Sequence, residues 1–209
     1  MATAQQVLDI ARGELGYYAP DDPEAGSKYG RWMAAYTGES WLAGPSVEIW
    51  WCNIFVSWVL NQAGVVTPGY PSYNTDITLA ANPSLVYRED ALPGDIIIWD
   101  WNGDGATDHV GFVESHTAGA LGSLVTIEGN HNNRVDRVDR SNVWGYVRAV
   151  IRPNYDAVSA PSNPGTVAPT TDWVTAAAYD VIDGLYGNGE DRKNNLYNAI
   201  QWKVNQLLS

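Results

Sequence analysis

A proline-rich stretch in the last third of the chain limits how much of it can form one folded domain. Residues 154–171 contain three prolines, many small side chains and almost no large aliphatic ones. A stretch of this composition cannot bury enough apolar surface to offset the conformational entropy that folding removes. The sequence therefore predicts a domain at residues 1–153, a linker at 154–171 and a short tail at 172–209.

The charge of the chain excludes two classes of partner. The 209 residues include 12 Lys and Arg against 24 Asp and Glu, which gives a formal net charge of -12. Nucleic acids and anionic membrane surfaces are bound mainly through Lys and Arg side chains. No stretch of the chain reaches the ~18 apolar residues that a membrane-spanning helix needs. We therefore expect neither nucleic acid nor a membrane among its partners.

The periodicity of apolar residues predicts an α+β domain with helices first. An apolar stripe at helical spacing follows Thr3, a candidate N-cap, and a second stripe ends at Gly64. After a Pro-Gly break at residues 93–94, short segments rich in β-branched and aromatic residues alternate with turns. The predicted strands cover residues 96–99, 109–114, 124–128 and 143–151. Consecutive strands with short connections favour an antiparallel sheet.

The single cysteine, Cys52, excludes an internal disulfide and a Cys-rich zinc site. It lies in the sequence WWCNIF at or near the start of the second predicted helix. At a helix N-terminus the dipole and the unpaired N–H groups stabilise a thiolate, which is a nucleophile. The alternative interpretation is packing, because a lone Cys among Trp, Ile and Phe usually lies in a core.

A histidine and a carboxylate follow on neighbouring predicted strands. Alternation places His109 on the face opposite Val110 and Phe112, so we expect its imidazole to point towards a helix packed across the sheet. Glu128 ends the next strand, where its carboxylate can hold the far ring nitrogen of His109 and fix the tautomer. Asn130 lies two residues beyond. The alternative is a structural histidine with no chemical role.

Five stretches in a fixed order resemble the CHAP family, the cysteine, histidine-dependent amidohydrolases and peptidases of phage endolysins and bacterial wall remodelling. They are YGRW (29–32), WCNIFVSWVLNQAGV (51–65), LPGDIIIWDWNGDGATDHVGFVE (92–114), TIEGN (126–130) and GYVR (145–148). The resemblance implies a papain-like fold and hydrolysis of an amide bond in bacterial peptidoglycan. Position by position, Cys52 matches the nucleophile and His109 the general base. Glu128 matches the residue that orients His109, and Asn130 an accessory polar group.

The tail resembles a different family. The sequence VIDGLYGNGEDRKNNL, followed by IQWKVNQLL, is similar to the short cell-wall-binding repeat of some pneumococcal phage lysozymes. We expect a small all-α module of two helices, which lacks a few residues of that family's pattern near 196–199. A segment of fewer than ~40 residues is marginal alone. We therefore expect the tail to pack on the enzyme domain or to form a homo-oligomer.

Four tryptophans near the proposed nucleophile are candidates for binding sugar or stem peptide. They are Trp50, Trp51, Trp101 and Trp144. Their large faces suit a groove, but most of the ten tryptophans are expected in the core.

The loop before His109 has the first half of an EF-hand pattern. Oxygen ligands for calcium would come from Asp100, Asn102, Asp104 and Asp108. Position twelve of the pattern is Gly111 instead of a bidentate Glu, so two ligand oxygens are missing. An Asx-rich hairpin turn is an equal alternative. The cysteine chemistry itself requires no cofactor.

The leading hypothesis is a phage endolysin of a Gram-positive host that cleaves an amide bond of peptidoglycan. N-acetylmuramoyl-L-alanine amidase activity is favoured over a stem-peptide or cross-bridge endopeptidase. The N-terminal sequence lacks the features of a secretory signal, which predicts synthesis in the host cytoplasm and action on the wall after release.

Two rival hypotheses belong to other classes. The first is a zinc enzyme that uses His109, His116, His131 or Asp108, although none of these histidines has HExxH spacing. We expect His116 and His131 to be surface residues in turns. The second rival is a non-catalytic wall-binding virion protein.

Overall fold

The computed structural model describes residues 2–82, 84–117 and 122–155, so the predicted tail and all but the first two residues of the predicted linker lie outside the described residues. The helices are α1 (Ala4–Gly13), α2 (Lys28–Thr37), α3 (Cys52–Ala63) and α4 (Thr75–Ala80). The strands are β1 (Ile96–Trp99), β2 (His109–His116), β3 (Leu124–His131), β4 (Arg134–Asp139) and β5 (Val147–Ile151). They form one antiparallel sheet in the order β4-β3-β2-β1-β5. The predicted α+β class with N-terminal helices and an antiparallel sheet is confirmed.

Both predicted helices are present; α1 begins after Thr3 and α3 ends before Gly64 as expected, whereas α1 ends at Gly13 instead of continuing to Gly16. The Thr3 side chain accepts a hydrogen bond from the Gln6 amide, and the Gln6 side chain accepts one from the Thr3 amide, which completes a capping box. Gly64 ends α3 in the left-handed conformation, at a φ of 68°. Within the described residues, no helix is long and apolar enough to cross a membrane.

Three elements were not predicted from the sequence. Helices α2 and α4 lie in segments with Gly, Pro and polar residues nearby, and α4 has only six residues. Strand β4 has the sequence RVDRVD, in which Val135 alone is fully buried, as suits an edge strand. The last predicted strand begins later than expected, at Val147, because Trp144–Tyr146 form a short 3-10 helix.

Helix α3 packs on one face of the sheet. Its side chains Ile54 and Phe55 belong to the same buried cluster as Val110 and Phe112 of β2. The Phe55 and Phe112 rings meet edge to face, with centroids 6.4 Å apart. A Cβ at Gly129 on β3 would lie 2.6 Å from the Phe55 ring carbon Cγ, so only glycine allows this close approach.

The expected direction of His109 was therefore wrong in one respect. Helix α3 covers the Val110 and Phe112 face, whereas His109 lies on the opposite face, stacked on Trp99. A second buried cluster, which includes Ile97, Trp99, Val113, Trp144 and Val150, occupies that face. His109 still reaches Cys52, because each is the first residue of its element and the two elements begin at the same end of the sheet.

The segment before α4 is tied to α3 next to the cysteine. The buried Asn53 amide donates to the Ser72 carbonyl, at 3.0 Å, and to the Thr78 hydroxyl, at 3.1 Å. The Ser57 hydroxyl donates to the same Ser72 carbonyl and accepts from the Ser72 amide. These bonds hold residues 72–78 in a fixed place beside Cys52.

Candidate active site

Cys52 is the first residue of α3, and only 7% of it is exposed. The preceding residue, Trp51, makes no side-chain hydrogen bond to the helix start. The first amide groups of a helix have no partner within the helix, so the N-terminus of α3 offers N–H donors beside the sulfur.

His109 connects Cys52 to a carboxylate. Its Nε2 atom lies 2.8 Å from Glu128 Oε2, and its ring also lies within interaction range of the Cys52 thiol. Because Glu128 occupies Nε2, Nδ1 is the ring nitrogen left for the sulfur. The imidazole stacks on the Trp99 indole, with ring centroids 5.7 Å apart, which fixes its plane.

Glu128 is fully buried, and both of its oxygens are bound. Oε1 accepts hydrogen bonds from the Thr126 hydroxyl, at 2.6 Å, and from Arg140 Nε, at 2.8 Å. Oε2 is shared by His109 and Arg140 Nη2, the latter at 2.6 Å. A Cβ at Gly111 on β2 would lie 2.7 Å from Glu128 Cγ, so this glycine makes room for the carboxylate.

These contacts determine the protonation states of His109 and Glu128. Burial favours the neutral forms, but hydrogen bonds to Cys52 and Glu128 raise the pKa of His109 to about 9. For Glu128, burial acts in the opposite direction, yet the hydrogen bonds and positive charges of Arg140 and His109 lower the pKa to about 2. Near neutral pH the site therefore holds an imidazolium beside a carboxylate.

Asn130 has a left-handed backbone conformation and does not belong to the chain of contacts from Cys52 through His109 to Glu128. Its φ is 59°, and it lies where the pairing of β3 with β4 is interrupted, between Glu128 and His131. Among the described residues, no hydrogen bond joins the Asn130 side chain to Cys52, His109 or Glu128. An accessory role for Asn130 stays a prediction.

A groove of about 370 Å³ opens at Cys52. Its aromatic lining includes Trp50, which is 83% exposed, Trp41, which is 54% exposed, and Tyr73. The remaining lining residues are Leu42, Glu48, Ile49, Asn74, Thr75, Asp76, Thr107 and Asp108. Three of them are acidic, and none of the groove's described lining residues is Lys, Arg or His.

Two of the four predicted substrate-binding tryptophans do not face this groove. Trp51 is fully buried and stacks on Tyr29, with centroids 5.2 Å apart. Trp144 is buried in the second cluster against His116, and its Nε1 donates to the Gly122 carbonyl. Both are core residues, so the prediction that they bind substrate is corrected. Trp50 lines the groove, and Trp101 is partly exposed beside His109.

The loop at residues 100–108 has the hydrogen bonds of an Asx-rich turn, which was the alternative to an EF-hand loop. The two carboxylate oxygens of Asp100 accept backbone N–H bonds from Gly103 and Gly105, and Asp108 accepts one from Trp101. Although burial acts in the opposite direction, these backbone bonds lower the pKa of Asp100.

Asn102 and Asp104, the other two predicted calcium ligands, bond to each other through their side chains. Over the described ranges, no group of three or more His, Cys, Asp and Glu side chains is arranged to hold a metal ion. Calcium binding at this loop stays a prediction.

The other two histidines lie apart from Cys52 and from each other. His116 ends β2, partly buried, with Nδ1 2.9 Å from the Ala91 carbonyl, and burial lowers its pKa. His131 ends β3, with Nδ1 2.9 Å from Asp136. Both are the last residues of strands, so the expectation that they lie in turns was wrong, although the His131 side chain is 33% exposed. Their separate partners give no support to a zinc site.

Sequence patterns missed several parts of the site. Arg140 and Thr126 bind Glu128, and Trp41 and Tyr73 line the groove. Thr126 belongs to the TIEGN stretch, but its contact with Glu128 was not predicted, and the other three belong to no recognisable motif. Arg140 had no usable signal either, because eight of the twelve Lys and Arg residues follow Glu128 and nothing in the sequence marks Arg140 as its partner.

Two family models match parts of this chain. Residues 44–130 match the family model of the CHAP domain, and residues 176–208 match that of the CW_7 repeat. Both resemblances inferred from the sequence are thus confirmed. The CHAP match contains Cys52, His109 and Glu128 but ends before Arg140. No sequence among the curated proteins matches this chain.

Solved structures with a partial likeness include three proteins. NlpC1 from Trichomonas vaginalis is 15% identical over 71% of this chain and 43% of its own, with a TM-score of 0.44. NlpC2 from the same organism is 16% identical, with coverages of 71% and 45% and a TM-score of 0.44. An NlpC/P60 family protein from Bacillus cereus is 14% identical, with coverages of 72% and 40% and a TM-score of 0.44. The chain spans less than half the length of each of these proteins.

Glu128→Gln is expected to lower the pKa of His109 from about 9, because it removes the carboxylate that binds Nε2. NMR titration of the imidazole resonances measures this change directly. The matched control is Glu114→Gln, on the same strand as His109 but paired with Arg12 and Arg137, which should leave the His109 titration unchanged.

The same pairing makes stability depend on pH. Because the pKa of His109 lies above its ordinary value of 6.5, protonation stabilises the folded chain. This contribution is complete below about pH 6.5 and is lost as the pH rises to about 9. The stability difference between wild type and Glu128→Gln should shrink across this window; a constant difference would contradict the assignment.

Proposed function

We propose that this chain is a cysteine-dependent peptidoglycan hydrolase. Its residues 44–130 match the CHAP domain, and its residues 176–208 match the CW_7 repeat. The observation that supports this most is the continuous chain of contacts from Cys52 through His109 to Glu128. A thiol at a helix start, a histidine and an orienting carboxylate form the arrangement used in nucleophilic hydrolysis of amides.

The reaction begins with the thiolate of Cys52. In the resting site the proton of the Cys52 thiol already lies on His109, and the positive charge of the imidazolium stabilises the thiolate beside it. The thiolate attacks the carbonyl carbon of the amide, and the N–H groups at the start of α3 bind the developing oxyanion. His109 then donates its proton to the leaving amine.

In the second half of the reaction, water hydrolyses the thioester formed on Cys52. His109, now neutral, removes a proton from water, and the hydroxide attacks the thioester carbonyl. The carboxylic acid product leaves, and the thiolate and the imidazolium are restored. Throughout this cycle Glu128 keeps the Nε2 side of His109 fixed, so that Nδ1 alone exchanges protons with Cys52, the amine and water.

The bond that we favour is the amide between the muramoyl lactyl group and L-alanine. The exposed indole faces of Trp41 and Trp50 border the groove at Cys52, and flat apolar rings suit a sugar bound next to the amide. This supports N-acetylmuramoyl-L-alanine amidase activity, in which sugar and peptide lie on opposite sides of the reacting carbonyl.

A second candidate is a stem-peptide or cross-bridge endopeptidase. Glu48, Asp76 and Asp108 line the same groove, and carboxylates favour a substrate that carries a free amine. Amines occur on stem peptides and cross-bridges but not on the glycan beside the lactyl group, so this observation favours peptide on both sides of the carbonyl.

The biological setting that we propose is that of an endolysin, made in a host cell and acting on a Gram-positive wall after release. Its net charge of -12 disfavours nonspecific attachment to anionic wall polymers. Specific contacts at the groove and at the CW_7 repeat must therefore provide the binding. The predicted homo-oligomer through the tail belongs to the same proposal.

Cys52→Ala is expected to lower the rate of wall clearing by ~1,000-fold or more, because the nucleophile is lost. Turbidity of purified walls measures the rate. His109→Ala should have a similar effect, whereas His131→Ala, a histidine outside the contact chain, should retain activity. Iodoacetamide should abolish activity and EDTA should not. Equal clearing by wild type and Cys52→Ala would mean a non-catalytic wall-binding protein.

Mass spectrometry of the fragments released from walls should identify the bond. An amidase releases stem peptides with a free N-terminal alanine and leaves glycan strands with free lactyl carboxylates. An endopeptidase releases fragments in which peptide remains attached to muramic acid. We expect the first pattern; the second would replace the amidase assignment with the endopeptidase one.

Trp50→Ala is expected to raise KM for soluble wall fragments by ~2- to 10-fold, because one aromatic contact is lost. Tyr87→Ala is the matched control, since Tyr87 is 81% exposed and does not line the groove. Steady-state kinetics of both variants would show the contrast. An equal effect on both would argue against substrate contact at Trp50.

A further inference from the structure

Arg140 is the most extensively bound cation near the candidate site, yet it lies outside the CHAP match at residues 44–130. It follows β4 directly, and its backbone is fixed, since its amide donates to the Leu124 carbonyl at 2.7 Å. Its side chain turns towards Glu128 and places one nitrogen on each carboxylate oxygen, at 2.8 and 2.6 Å. This is the paired geometry in which Arg binds carboxylates most strongly.

Two tryptophan rings also pack near the guanidinium of Arg140. Its central carbon, Cζ, lies 5.4 Å from the Trp99 ring centroid and 5.1 Å from that of Trp101. Trp99 stacks on both Trp101 and His109, and the Trp101 ring lies tilted to the imidazole, with centroids 6.5 Å apart. Trp99 and Trp101 therefore support both residues that bind Glu128 Oε2, and they limit the directions in which either can move.

We propose that Arg140 is a positioning residue: its guanidinium holds the Glu128 carboxylate in the plane and direction that keep His109 against Cys52. This inference rests on the proposed function, because it assigns Arg140 a part in the same reaction. Arg140 itself contacts neither the sulfur nor the groove. It acts through Glu128, whose orientation depends on four hydrogen bonds, two of them from Arg140.

The charged groups that face Glu128 come from two neighbouring elements. His109 approaches from β2 and Arg140 from the residue after β4. Asp136 on β4 is the cross-strand partner of Glu128 and is bound by His131. Without Arg140, a buried carboxylate would face a second carboxylate with only His109 as counter-charge. It would take up a proton at higher pH, and a protonated Glu128 no longer holds the imidazolium.

Arg140→Gln tests this role. We expect kcat/KM for wall fragments to fall by ~10-fold or more, a part of the ~100- to 10,000-fold that general acid–base catalysis provides. The acid limb of the pH profile should also move to higher pH, because Glu128 protonates sooner. Arg137→Gln is the matched control: it changes the same residue type on β4 and breaks an ion pair with Glu114, but it lies outside the site.

The decisive comparison is a double-mutant cycle with Glu128→Gln. If Arg140 acts through Glu128, adding Arg140→Gln to Glu128→Gln should change neither kcat/KM nor the pH profile further. The double variant removes both buried charges, so it avoids an unpaired charge in the core. Arg140→Lys, which keeps the charge but not the paired geometry, should restore the acid limb and only part of the rate.

Alkylation of Cys52 by iodoacetamide provides a readout that needs no wall substrate, because Cys52 is the single cysteine of the chain. Its rate as a function of pH should show the same shift in Arg140→Gln and none in Arg137→Gln. Failure of the wild type to cleave walls would remove the proposed function, while the alkylation cycle would still decide the role of Arg140. An additive effect in the Glu128→Gln background, or a uniform loss at every pH, would overturn the inference.

Discussion

The buried carboxylate of Glu128 is the constraint on which the rest of the site depends. A carboxylate removed from water costs several kcal/mol unless charged and polar partners replace the lost hydration. Those partners come from separate parts of the chain: His109 at the start of β2, Thr126 on β3 itself and Arg140 after β4. Gly111 provides the space. Satisfying this one group fixes the relative positions of three strands at the end of the sheet where α3 begins.

The nucleophile is brought to this end by a different set of forces. Phe55 of α3 packs on Phe112 and against Gly129, which fixes the height of the helix over β2 and β3. Asn53 and Ser57 bind the segment that forms one wall of the groove. Apolar packing thus positions the sulfur, and polar contacts position the imidazole. The two meet only because α3 and β2 start at the same place.

Two signals in the sequence led to the residues that carry the proposed chemistry. Periodicity placed Cys52 near a helix start and His109 and Glu128 on neighbouring strands, and the resemblance to the CHAP family implied their roles. Arg140 and Trp41 have no such signal, since nothing near them in the chain indicates a carboxylate or a groove. Their roles depend on contacts between elements distant in sequence.

The sequence by itself determined the α+β class, the start of α1, the end of α3, most of the strands and the order of Cys52, His109 and Glu128. Tertiary structure alone decided which sheet face α3 covers, because alternation separates two faces without saying which one a helix will bury. It also decided that Trp50 faces the groove while its neighbour Trp51 stacks on Tyr29 in the core. Adjacent residues of one type have the same hydrophobicity, so only the three-dimensional direction of each side chain could distinguish them.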